Sequence, residues 1–109
     1  MGVELINELQ HYQRRMNTGI DLMRRYGKEL AEAEEKYRIA KAQEILKLRD
    51  KGFPATIIQD LAKGATASLK FRVDVAQTML DAAREDVMAA KMEIRVTEAQ
   101  IEREWVRDS

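Results

Sequence analysis

The sequence has no cysteine, one proline, one histidine and few aromatic residues, 6% of its 109 positions. The first absence removes disulfides, thiolate zinc sites, iron–sulfur clusters and thiol nucleophiles together. Ser68, Ser109 and His11 are the whole serine and histidine inventory, so no Ser-His-Asp arrangement can be assembled. No stretch approaches the roughly 18 apolar residues that cross a bilayer, and no basic segment leads into a short apolar one. The opening Met1-Gly2-Val3-Glu4-Leu5-Ile6 has the glycine that myristoylation uses but puts Ile6 where Ser or Thr is required. The expectation is an unmodified cytoplasmic protein.

What the chain does have is 45% hydrophobic and 35% charged residues, with 19 basic side chains against 19 acidic ones. Ala, Leu, Glu, Lys, Arg, Gln and Met dominate, a mixture that belongs to long helices rather than to a sandwich or a doubly wound sheet. The length suits one domain spanning residues 1–109.

Stepping from Leu5 alternately by four and three gives Leu9, Tyr12, Met16, Gly19, Met23, Tyr26, Leu30, Ala33, Tyr37 and Ala40, all uncharged. The same step from Leu69 gives Val73, Ala76, Leu80, Ala83, Val87, Ala90, Ile94, Thr97 and Ile101, with a charge only at the last position, Glu104. Two sustained seven-residue seams predict two long helices, about 3–51 and about 66–107, that zip together as an antiparallel coiled-coil hairpin. After Ala40 the first seam slips, and Ala42, Ile45, Leu46 and Leu48 carry the apolar face to Gly52.

Between the seams, residues 52–64 form the corner. Gly52 suits the left-handed residue that closes a helix, and Pro54 stops the first helix from continuing. Thr56 and Gln59 have the spacing of a capping box, which predicts a short helix from Ile57 to Lys63 ended by Gly64. Its Ile57, Ile58 and Leu61 would cover the end of the core together with Phe53. Pairing Leu48 with Leu69 sets a register that places Tyr37 near Leu80 and Ala83, Tyr26 near Ala90, and Tyr12 near Ile101 and Trp105. Ile6, Ile20 and Leu22, with Val75, Met79, Met88, Met92 and Val96, lie off the seams. They predict self-association, most simply two hairpins forming a four-helix bundle.

Chemistry is sparse. Glu8 and His11 have the Glu-x-x-His spacing of di-iron bundles, but the seam offers no further inward glutamate until Glu104, so His11 reads as a solvated side chain and no metal or other cofactor is expected. Glu29, Glu32, Glu34 and Glu35 stand among Lys36 and Arg38 and read as a water-facing flank. No phosphate loop is present. The sequence therefore predicts a protein that is not an enzyme, with no catalytic residues and no small-molecule substrate.

Charge is distributed unevenly. Lys36 to Arg72 contains nine basic and three acidic residues, whereas the segments on either side carry the acidic excess. Folded as a hairpin, the chain gains a positive tip. Lys47, Arg49, Lys51, Lys63, Lys70 and Arg72, with Phe53, are the candidate partner-binding residues, toward an acidic protein or a phosphate backbone. Met88, Met92 and Trp105 would add adaptable and anchoring contacts if exposed. The run from Glu44 to Ala62 has the rhythm of half a helix-turn-helix but lacks a recognition helix, since Gly64 leads straight into the second seam.

Lys51-Gly52-Phe53-Pro54-Ala55-Thr56-Ile57-Ile58 through Gly64, then Glu93-Ile94-Arg95 and Glu98-Ala99-Gln100-Ile101-Glu102-Arg103-Glu104-Trp105, resembles uncharacterised short helical proteins encoded by phages and prophages of Gram-positive bacteria. The resemblance covers roughly the C-terminal two thirds. It implies an accessory phage protein that binds another macromolecule, such as a replication, recombination or host defence component, and it carries over no catalytic residue. The reading from sequence is a noncatalytic protein–protein interaction module; the alternative is a nucleic-acid accessory factor using the basic tip.

Overall fold

A computed structural model describes residues 2–108, and these are all-α: α1 spans Gly2–Asp50, α2 Ala55–Ala65 and α3 Ala67–Asp108. No helix is long and apolar enough to cross a membrane among the described residues. The chain divides into two compact units, one of residues up to Arg25 with those from Leu80 onward, the other from Tyr26 to Met79.

In the first unit the beginning of α1 packs antiparallel to the end of α3. Gly19 lies against Val87, Arg15 reaches Asp86, and Leu5 and Ile6 share a cavity with Ile101 and Trp105. The low-exposure positions of α3 here are the seam, with Gln100 beside it: Leu80, Ala83, Val87, Ala90 and Thr97 are buried, and Ile94, Gln100, Ile101 and Glu104 half-buried. Small residues alternate with large ones along it, and on α1 the bulky Leu5, Leu9, Tyr12, Met16 and Met23 are half-buried around a fully covered Gly19. Such alternation lets facing side chains interdigitate.

In the second unit α2 folds back on the end of α1. Leu48, Ile58 and Ala62 form a buried cluster, with Ile45 packed on it. Val73 and Ala76 of α3 are buried on the same seam, and Lys70 lies over the Tyr37 ring at 5.8 Å. The expected register is therefore corrected: Tyr37 meets the region of Lys70, not Leu80 and Ala83, and Leu48 is covered by α2 rather than by Leu69. It is Leu5 and Ile6, not Tyr12, that meet Ile101 and Trp105. The cause is α2. By occupying the last turn of α1, it makes α3 start alongside an earlier stretch, about three helical turns back.

The joints follow from backbone chemistry. Gly52 has φ 85°, its N–H donates to the Arg49 carbonyl at 3.0 Å, and the Phe53 N–H donates to the Leu48 carbonyl at 3.2 Å. This is the paired closure of a Schellman turn, which satisfies two carbonyls that the helix end would leave open. Lys47 and Arg49 sit in that last turn, where cations complement the helix dipole.

The capping box does not form. Pro54 is the N-cap of α2, without a side-chain hydrogen bond, and its carbonyl accepts from the N–H groups of Ile57 and Ile58. The helix starts at Ala55, so Thr56 is already inside it. Nor does Gly64 end α2, because Gly52 alone among the glycines has positive φ. Thr66 ends it instead: both its N–H, at 3.1 Å, and its hydroxyl, at 2.7 Å, donate to the Ala62 carbonyl. The Thr66 carbonyl in turn accepts from Leu69 and Lys70, so one buried residue closes α2 and opens α3.

Candidate interaction surface at the corner

All seven residues singled out by charge and position are exposed, and all lie in the second unit. Lys47 and Arg49 ride the last turn of α1, and Lys51 and Phe53 flank the left-handed Gly52. Lys63 projects from α2, and Lys70 and Arg72 from the first turns of α3. Their surroundings differ. Lys70 is engaged, with its ammonium 3.2 Å from the Asp74 carboxylate and over the Tyr37 ring, where Lys41 also sits at 5.8 Å. Lys47, Arg49, Lys51, Lys63 and Arg72 have no ion pair among the described residues. Their charge is left to solvent or to a partner.

The structure does not gather the seven into one spot. Lys63 and Lys70 border an open groove with Tyr37 and Phe71, while Arg72 borders another with Glu29, Ala33 and Val75. Phe71, itself 67% exposed, lines both.

Sequence reasoning named Phe53 but missed the rest of the apolar part of this surface. Of the residues expected to cover the end of the core, only Ile58 turns inward; Phe53, Ile57 and Leu61 remain 40%, 41% and 42% exposed. Ile57 and Leu61 are four apart on α2 and so share a face, and Phe53 stands just before its N-cap. Leu46, expected on the buried face, is exposed, whereas Leu48 is buried and Ile45 half-buried. The distinguishing signal was angular. Consecutive Ile57 and Ile58 point about 100° apart on a helix, so one of them had to leave the core.

Glu8 and His11 are exposed, the imidazole lies 5.4 Å from the Tyr12 ring, and no three His, Asp or Glu side chains converge among the described residues. Glu32 pairs with Lys28, and Glu34 with Arg38, each one turn along α1. No protein-family model, no curated protein and no solved structure matches this chain.

Proposed function

We propose that the protein is a noncatalytic interaction module that docks, through the corner between α1 and α3, on an acidic amphipathic segment of another protein. One observation carries the reading: Phe53, Ile57 and Leu61 stay exposed in the short segment that also carries Lys51 and Lys63, cations with no ion pair among the described residues. Apolar anchors supply binding free energy when covered, and neighbouring unpaired cations steer and select an acidic partner. On this reading the two helical seams form an antiparallel coiled-coil hairpin. The hairpin pairs with a second copy as a homodimeric four-helix bundle that holds the corner out in the cytoplasm. The resemblance of the corner to short phage proteins adds that the partner is a phage or host macromolecule.

The test is co-purification of the tagged chain from its native host, comparing wild type with Phe53→Ala/Leu61→Ala and with Lys47→Glu/Arg49→Glu/Lys51→Glu. A partner retained by wild type and lost from both variants, at unchanged helicity, supports the reading. Undiminished capture by both removes the corner from the interface.

The same unpaired cations favour a second reading, a nucleic-acid accessory factor that uses the corner electrostatically. Shift assays with single- and double-stranded DNA separate the two. Binding by contact with phosphates weakens steeply as salt rises, and absence of binding at low salt eliminates it.

A further inference from the structure

The outward face of α3 in the first unit carries a seam that neither helix pairing uses. From Ala82 the four-and-three step runs through Glu85, Ala89, Met92, Val96, Ala99 and Arg103 to Val106, and every one of these is exposed. Met92 is 68% exposed and Val96 52%. The outward face of α1 in the same unit differs, bearing Gln10, Arg14, Asn17, Asp21 and Arg24. An apolar heptad seam along one exposed helix face, with a polar face on its neighbour, is the pattern of a helix that packs against something further.

We infer that this seam is the interface with a second copy of the chain, α3 against α3 in antiparallel orientation, with the two-fold axis between Met92 and Val96. The inference rests on the self-association included in the reading above and specifies its face, direction and register. Charge complementarity decides the register. Glu85 and Arg103 are the seam's two charged residues, of opposite sign, and neither has an ion pair among the described residues.

Antiparallel packing that sets Glu85 opposite Arg103 of the second copy does so twice, by symmetry. The same register sets Met92 against Val96, Ala89 against Ala99 and Ala82 against Val106 of the other copy. Every layer is then apolar or charge-matched. A parallel pair in register would instead face Glu85 with Glu85 and Arg103 with Arg103, the like-charge juxtaposition that disfavours a pairing.

Sedimentation equilibrium on the full chain tests this. Wild type is expected at twice the 12.6 kDa chain mass. Met92→Glu/Val96→Glu is expected as monomer with unchanged helicity, because both side chains already face solvent within one chain. Glu85→Arg alone and Arg103→Glu alone should each raise the dimer Kd at least about tenfold, the size expected for a close charge pair turned repulsive, and the double swap Glu85→Arg/Arg103→Glu should restore it.

The absence of native cysteine allows an independent readout: in an oxidised mixture of Ala89→Cys and Ala99→Cys, mixed disulfides should exceed like-with-like ones. A wild-type monomer at high concentration overturns both this interface and the self-association it rests on. A wild-type dimer indifferent to the charge reversals, or one forming chiefly like-with-like disulfides, overturns the face and register while leaving self-association standing.

Discussion

Gly19 of α1 sits against Val87 of α3 so closely that a Cβ built on the glycine would lie 2.7 Å from the Val87 Cγ2 and 3.8 Å from the Ala83 carbonyl oxygen. Gly27, eight residues along the same helix, has nothing within 4 Å of its Cβ direction. The two glycines therefore answer oppositely to alanine. Alanine relieves the glycine penalty in a helix, about 0.5–1 kcal/mol, whereas overfilling a packed seam costs about 1–3 kcal/mol. Val87 has little room to rotate away, because a β-branched side chain in a helix holds one rotamer. Gly27→Ala should raise the melting temperature; Gly19→Ala should lower it by about 5 °C. In Gly19→Ala/Val87→Ala the offending methyl is gone, so the two losses should fail to add. A Gly19→Ala protein as stable as Gly27→Ala would mean that the helices part freely at this layer.

Gly52 isolates a purely backbone effect. Its φ of 85° lies in the left-handed region and its Cβ direction is open, so substitution meets strain and no clash. Alanine there should cost about 1–2 kcal/mol, asparagine less because it tolerates this conformation, and valine the most. Thermal melts of the three variants should therefore place asparagine highest, alanine next and valine lowest. Equal losses would show that the turn re-forms without a left-handed residue.

The seams were legible in the sequence because burial along a helix needs only periodicity. Every position from Leu5 to Ala40 on the first seam, and from Leu69 to Glu104 on the second, is half or wholly covered. The Gly52 closure was legible for a similar reason, since its left-handed residue and the proline behind it are local. Register was not, because it depends on where α2 lies, and α2 covers Leu48 through tertiary contact with Ile58 and Ala62. Local signals also competed at the corner. The Thr56 and Gln59 spacing imitates a capping box, yet Pro54 is already fixed in the extended conformation that starts a helix, at φ −62° and ψ 142°. Of the candidate site, the cations were legible as charge. The exposed Phe53 was named with them, but the exposure of Ile57 and Leu61 was not legible, since hydrophobicity alone does not say which of two adjacent isoleucines turns inward.

Thr66 is a buried hinge of hydrogen bonds between α2 and α3, and its hydroxyl adds a second donor to the Ala62 carbonyl. Valine matches its shape and removes that donor while leaving the backbone N–H bond in place. Thr66→Val should therefore cost about 1 kcal/mol, the net worth of one such bond, and Thr66→Ser should keep the hydrogen bond and lose only a methyl contact. Urea unfolding followed by circular dichroism gives both values. A Thr66→Val protein as stable as wild type would assign the joint to the backbone alone.

Arg15 and Asp86 bridge α1 and α3 at 3.9 Å, but both side chains are exposed. Exposed pairs are worth about 0–1 kcal/mol because water screens them and ordering two long side chains costs entropy. Asp86→Ala should shift stability by no more than about 0.5 kcal/mol, and raising the salt concentration should leave the melting temperature nearly unchanged. The layer beside this pair is held instead by Val87 and Ala83 against Gly19, so Val87→Ala should cost more than Asp86→Ala although the two residues are adjacent. The reverse ranking in urea titrations would mean that the salt bridge, rather than the apolar seam, holds the first unit together.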